Sequence, residues 1–143
     1  MAGSIVATTY AGKGRGIIRV DCALTCASGA ISAQPIGSFY GRLVAVLADP
    51  VAGAGATMTS TADILLTDAV TGAPILSDLS FGAAAFNYRP TQAVVDAAGA
   101  AITPATTAND VNRDIFVAGK LNLAIANATT TDTGLLSFIF EEA

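Results

Sequence analysis

Apolar residues alternate with polar or small residues over three segments of the chain, residues 18–24, 121–126 and 136–140. This period of two is that of a β-strand with one buried face. Residues 4–9 form an earlier candidate strand. No segment has convincing helical periodicity, so the pattern predicts an all-β chain.

Two further segments extend this prediction. Residues 43–47 form a continuous apolar run, bounded by Gly41-Arg42 and Asp49-Pro50, which predicts a strand covered on both faces. Residues 63–68 predict another strand, which returns at residues 75–76 after a turn with Thr71-Gly72 at its tip.

The connections between these segments are short or rich in Gly, Ala, Thr and Asn. Residues 12–16 separate the first two strands, residues 51–61 are predicted to be a loop, and residues 127–134 are predicted to be the loop of a hairpin between the last two strands. Regular short strands with such connections predict an antiparallel β-sandwich of the jelly-roll type, with residues 1–143 as a single domain.

Residues 77–114 fit this pattern least well, because their apolar residues are scattered and include Phe81, Phe86 and Tyr88. Structureless connections longer than about 12–15 residues are uncommon inside compact domains. Two interpretations stay open. The segment packs partly on its own sandwich and partly on a neighbouring subunit, or it contains two short strands whose pattern is weak.

The amino-acid composition says more about the function of the chain than about its fold. The chain has no His and no Trp, and only 13% of its residues are charged. Because the chain has no histidine, it cannot form a Ser-His-Asp triad, a Cys-His catalytic pair or a zinc site with a histidine ligand. We therefore expect a protein that binds or builds a shell and is not an enzyme.

The charge, the apolar segments and the cysteines of the chain further limit its expected partners and location. The net charge of −4 and the pI near 4.4 argue against nucleic acid as a partner. No segment is apolar and long enough for a membrane-spanning helix, and residues 1–10 lack the basic start of an export signal. Cys22 and Cys26 lie in an apolar context that predicts buried free thiols.

Few residues are candidates for a functional site. One candidate is the glycine-rich stretch with Lys13 and Arg15, which we expect to be a basic turn or arm that contacts an acidic patch on a partner. The other is the short cluster of Phe86, Tyr88 and Arg89, whose composition most resembles that of an interface. The aspartate pairs 63/68 and 110/114 sit at strand ends and turns, as turn chemistry predicts, so we expect no metal, cofactor or catalytic residue.

A family resemblance rests on two segments. Ala62-Asp63-Ile64-Leu65-Leu66-Thr67-Asp68, through Gly72 to Ile75-Leu76, is similar to a strand-turn-strand pattern in small virion proteins of tailed bacteriophages. The same is true of residues 117–128 followed by residues 134–140. Some of these virion proteins are capsid decoration (cement) proteins.

The resemblance implies a non-enzymatic β-sandwich bound to the outside of a phage head, assembled in the host cytoplasm. Its implied partners are the major capsid protein and further copies of itself in a homotrimer, because icosahedral shells present local threefold axes. Two alternatives stay open: a receptor- or glycan-binding module of a phage fibre, spike or tail, and a hydrolase that works through Asp63 or Asp110.

Overall fold

The computed structural model describes residues 3–11, 16–51, 53, 55–93 and 112–142. Within these ranges the chain forms ten β-strands and no helix, which confirms the all-β prediction. The strands are β1 (Ser4–Ala11), β2 (Ile17–Thr25), β3 (Ile31–Asp49), β4 (Ala56–Thr57), β5 (Asp63–Asp68), β6 (Pro74–Ser80), β7 (Phe86–Tyr88), β8 (Thr91–Ala93), β9 (Asn112–Ala126) and β10 (Asp132–Glu142).

The described strands belong to one sheet with the order β1-β2-β10-β3-β9-β5-β6. β7 pairs with β3 and β8 pairs with β9, while the short β4 runs parallel to β10; the other pairings are antiparallel. The antiparallel all-β class is therefore confirmed. Neither the sandwich nor the jelly-roll arrangement is confirmed, because the described strands are hydrogen-bonded in one continuous sheet.

The two predicted hairpins have different outcomes. β5 and β6 pair as expected, and the turn between them is held by Asp68, whose carboxylate accepts hydrogen bonds from the Thr71 amide (2.8 Å) and hydroxyl (2.7 Å). The predicted hairpin of β9 with β10 is wrong, because β3 lies between them. An alternating pattern specifies which face of a strand is buried, but it does not specify which other strand that strand pairs with.

β3 is the longest strand and connects the two halves of the sheet. Its first part pairs with β9 and its last part pairs with β10, and residues 41–43 pair with both. Three irregularities interrupt its register, two of them near Pro35 and one at Val44. The bulge at Val44 turns both Leu43 and Val46 toward the core, which explains the continuous apolar run of residues 43–47.

Gly41 makes the double pairing of β3 possible. Its φ is +144°, a conformation that residues with a Cβ rarely adopt. A Cβ at this position would also overlap the carbonyl oxygen of Glu141 on β10. The backbones of β3 and β10 can therefore approach here only with glycine at position 41.

The buried apolar side chains form one cluster, supplied by β2, β3, β5, β6, β9, β10 and the loops around Met58, Ala62 and Phe81. The rings of Phe39 and Phe140 stack within it, with centroids 4.4 Å apart. Cys22 and Cys26 are buried free thiols, as predicted. Burial, with a contribution from the charge of Asp21, raises the pKa of Cys22 to about 12, so this thiol is unreactive near neutral pH.

The middle of the chain contains two short strands, β7 and β8, which confirms the second of the two interpretations for residues 77–114. Phe81 is fully buried and belongs to the core. Residues 94–111 lie outside the described residues. Packing of this segment on a neighbouring subunit stays a prediction.

The segment between β3 and β5 is attached to the start of β10 by the pairing of β4 and by the carboxylate of Asp132. Asp132 is buried and accepts hydrogen bonds from the Thr59 amide (2.8 Å), the Thr59 hydroxyl (2.6 Å) and the Thr129 amide (2.9 Å). Burial alone would raise the pKa of Asp132, but these hydrogen bonds outweigh it and hold the pKa below its ordinary value.

The first prediction compares a buried phenylalanine with an exposed one. Phe138 is fully buried, so Phe138→Ala should lower the free energy of unfolding by about 3–5 kcal/mol. Phe116 is 67% exposed, so the matched change Phe116→Ala should alter it by less than about 0.5 kcal/mol. Urea unfolding measures both, and equal effects would contradict the described core.

The second prediction concerns pH. Because the pKa of Asp132 is lowered by folding, its contribution to stability is present above its unfolded pKa and is lost as pH falls through its folded pKa. Asp132→Asn should therefore cost about 1–3 kcal/mol at neutral pH and much less in strong acid. Urea unfolding at both pH values is the measurement; an equal penalty at both would contradict a role for the ionised carboxylate.

Candidate binding surface

The strand register places side chains in rows across the outward side of β1, β2, β10 and β3. We call this surface the outer face. The middle row consists of Thr8, Asp21, Ser137 and Leu47. The row on one side consists of Val6, Ala23, Leu135 and Asp49, and the row on the other side consists of Tyr10, Arg19, Ile139 and Ala45. The outer face is thus mainly apolar, with its polar side chains concentrated near the middle.

Arg19, Asp21 and Ser137 form this polar centre. The Ser137 hydroxyl and the Arg19 Nε both donate to Asp21 Oδ1 at 2.6 Å, and Arg19 Nη2 lies 3.3 Å from the Ser137 Oγ. Burial would raise the pKa of Asp21, but hydrogen bonds from Ser137 and Arg19 and the positive charge of Arg19 lower it overall. A carboxylate with a lowered pKa is a weak base, and Ser137 is only 1% exposed, so the three residues do not form an activated nucleophile.

A shallow cavity of about 360 Å³ lies next to this polar centre. Leu47, Leu135 and Phe86 supply apolar lining, while Arg19 and Asn87 supply polar groups. Apolar walls with a few placed polar groups are the usual composition of a site for a small ligand or for a side chain of a partner.

Tyr40 of β3 and Phe116 of β9 form an exposed aromatic pair, which we call the aromatic patch. They are 61% and 67% exposed. Arg42 lies directly opposite Phe116, which makes Tyr40 and Phe116 diagonal neighbours on one face of the β3–β9 pair. Arg42 also forms an ion pair with Glu141 of β10 (2.5 Å), so charged groups flank the patch on one side.

The structure describes three of the five residues predicted to form an interface. Lys13 and Arg15 lie outside the described residues. Phe86 is half-buried and packs against the core, whereas Tyr88 is 42% exposed and Arg89 is exposed. Phe86 is thus the least exposed of the three residues, and an interface formed by Phe86, Tyr88 and Arg89 stays a prediction.

Sequence reasoning considered Tyr40 only as a sugar-binding residue; it missed Phe116 as its neighbour in the aromatic patch and the exposed pair Val6 and Tyr10 of β1. A signal for the patch was present, because Phe116 lies between the buried Ile115 and Val117 and occupies the outward phase of its strand. A large apolar residue at an outward position of an alternating strand is a candidate for contact with a partner.

Among the described residues, no group of three or more His, Cys, Asp or Glu side chains is arranged to hold a metal ion. Asp63 accepts a hydrogen bond from Asn127 Nδ2 at 2.6 Å, and Asp68 holds the β5–β6 turn. The Asp110/Asp114 pair falls outside the part of the chain whose side chains are described. The described aspartates thus have structural contacts of their own.

Comparisons with protein-family models, with curated proteins and with solved structures found no match for this chain. In the part of the chain that the structure describes, no helix is long and apolar enough to cross a membrane.

Proposed function

We propose that this chain is a non-enzymatic structural protein of a tailed-bacteriophage virion, a capsid decoration (cement) protein. In this role it binds the outer surface of the head and clamps major capsid subunits. The proposal is supported by the resemblance of its two strand-turn-strand segments to small virion proteins and by the antiparallel all-β architecture.

The observation that carries the proposal is the aromatic patch. Tyr40 and Phe116 expose large apolar surfaces on the two longest strands, whose backbone pairing holds the side chains at fixed positions. Burying apolar surface is favourable by about 25 cal/mol per Å². Aromatic residues beside arginine are typical of the centres of protein interfaces.

The low charge of the chain suits the same role. With 13% charged residues, the surface offers mainly apolar and small polar contacts to a partner, and these are weakly screened by salt. Repetition over a shell converts modest affinity at each site into strong overall stabilisation. Assembly as a homotrimer at local threefold axes belongs to the same proposal and rests on the family resemblance.

The third prediction tests the shell contact. Wild-type protein should co-sediment with shells assembled from the major capsid protein encoded in the same genome, and it should remain bound at high salt. Replacing both aromatic residues, Tyr40→Ser with Phe116→Ser, should weaken binding about tenfold or more, because interface aromatics carry much of the binding energy.

The matched control is Val70→Ser, which removes another exposed apolar side chain, 86% exposed in the β5–β6 turn. This variant should bind shells as the wild type does. Arg89→Glu, at the predicted interface cluster, should also weaken binding and keep the fold; unchanged binding would make Arg89 an ordinary surface charge. Failure of the wild-type protein to bind the shells would overturn the decoration role.

A second candidate function is favoured by the cavity on the outer face. Its combination of Arg19, Asn87 and the nearby Phe86 ring is chemistry that suits a sugar, as expected for a glycan-binding module of a fibre, spike or tail. The fourth prediction is that a glycan array gives a defined hit that Asn87→Ala abolishes and Asn122→Ala, on β9, retains. An array without a hit removes this candidate.

A further inference from the structure

We propose that β1 is an association edge, which pairs in antiparallel fashion with β1 of a second copy of this chain about a twofold axis. The inference does not rest on the virion role, because it follows from the strand order and from the sequence of β1. It names the surface and the partner of a contact between copies.

β1 ends the described strand order and pairs only with β2. Within β1, seven of the eight side chains are exposed, and Ile5 is the half-buried exception. The strand contains no charged residue and no proline. The strand itself therefore carries neither charge nor proline, two means by which proteins commonly protect a free sheet edge from other strands.

The opposite end of the described sheet differs. β6 begins with Pro74, and its pairing with β5 has two register shifts. Proline and irregular register each discourage the addition of another strand. One edge of the sheet is thus protected and the other, β1, is suited to strand addition.

The hydrogen bonds of Gln34 show which backbone groups of β1 point away from β2. Gln34 Oε1 accepts from the Ile5 amide at 3.2 Å, and Gln34 Nε2 donates to the Gly3 carbonyl at 2.9 Å. Backbone groups of alternate residues point to the same side of a strand, so those of Ala7, Thr9 and Ala11 also point outward. The Ile5 amide is occupied by Gln34, so the edge with which no described residue pairs extends from the Ile5 carbonyl to Ala11.

This geometry selects one register. In an antiparallel pair of β1 strands, residues whose backbone groups point away from β2 must lie opposite residues of the same kind in the second copy. These are alternate residues of β1, so the twofold axis must pass through a residue and not between two residues. The middle of the available edge is Thr8. Pairing about Thr8 places Ala7 opposite Thr9 of the second copy and allows both residues to exchange backbone hydrogen bonds.

The side chains of β1 favour the same register independently. Val6 and Tyr10 are 62% and 55% exposed and share the outer face. Pairing about Thr8 places Val6 opposite Tyr10 of the second copy and Tyr10 opposite its Val6. Pairs of an aromatic with a β-branched residue are favourable across antiparallel strands. This reciprocal match is specific to a second copy, which is why we assign the edge to self-association.

The fifth prediction uses the self-contact at Thr8. In the proposed pair Thr8 faces Thr8 of the second copy, so Thr8→Lys and Thr8→Glu each place like charges opposite each other. Each variant alone should raise the dimer dissociation constant about tenfold or more. An equimolar mixture of the two variants should restore association as a heterodimer, because lysine then faces glutamate.

Sedimentation across a range of protein concentrations measures the association. Thr61→Lys, at an exposed threonine before β5, is the matched control and should associate as the wild type does. Asp21 lies opposite Thr8 on β2, so thermal unfolding of each variant checks that the fold is kept. Recovery in the mixture excludes misfolding as the cause of lost association.

Three results would overturn the inference: a wild-type monomer at every concentration, an association that neither variant weakens, or folded variants whose mixture does not associate. If the protein forms a trimer that neither Thr8→Lys nor Thr8→Glu weakens, the inference is overturned and the threefold contact is supported instead. Shell binding is measured separately, so loss of the decoration role leaves this result standing.

Discussion

The double pairing of β3 at residues 41–43 is the constraint on which the two halves of the sheet depend. Here β3 forms backbone hydrogen bonds with β9 on one edge and with β10 on the other. Gly41 permits this approach because a side chain would meet the Glu141 carbonyl. The aromatic residue Tyr40 and the ion-paired Arg42 flank this glycine, so the same local geometry positions part of the candidate binding surface.

The described surface is built on paired strands and carries few charges. Core side chains such as Phe138 and Leu123 lie on one face of their strands, and the opposite faces carry small polar residues and isolated large apolar ones. The polar groups of Arg19, Asp21 and Ser137 are satisfied by one another. Such a surface is suited to contact with other proteins, because few groups must give up water to be buried.

Two different surfaces serve the two proposals. The aromatic patch lies on the paired strands β3 and β9, which are inside the strand order of the sheet, and it offers side chains to a partner. β1 lies at the end of the described sheet and offers backbone groups as well. One surface can therefore contact a shell while the other contacts a second copy, and each can be altered without changing the other.

The sequence by itself determined which side chains are buried in the strands with a clear period of two, such as β2 and β10. Alternation reports burial directly, and the buried thiols and the β5–β6 turn followed from equally local chemistry. Only the tertiary structure decided that β3 separates β9 from β10, that Val44 is a bulge, and that Tyr40 and Phe116 are neighbours. These features depend on which strands pair and in which register, and pairing between distant segments leaves no trace in the order of residues along one strand.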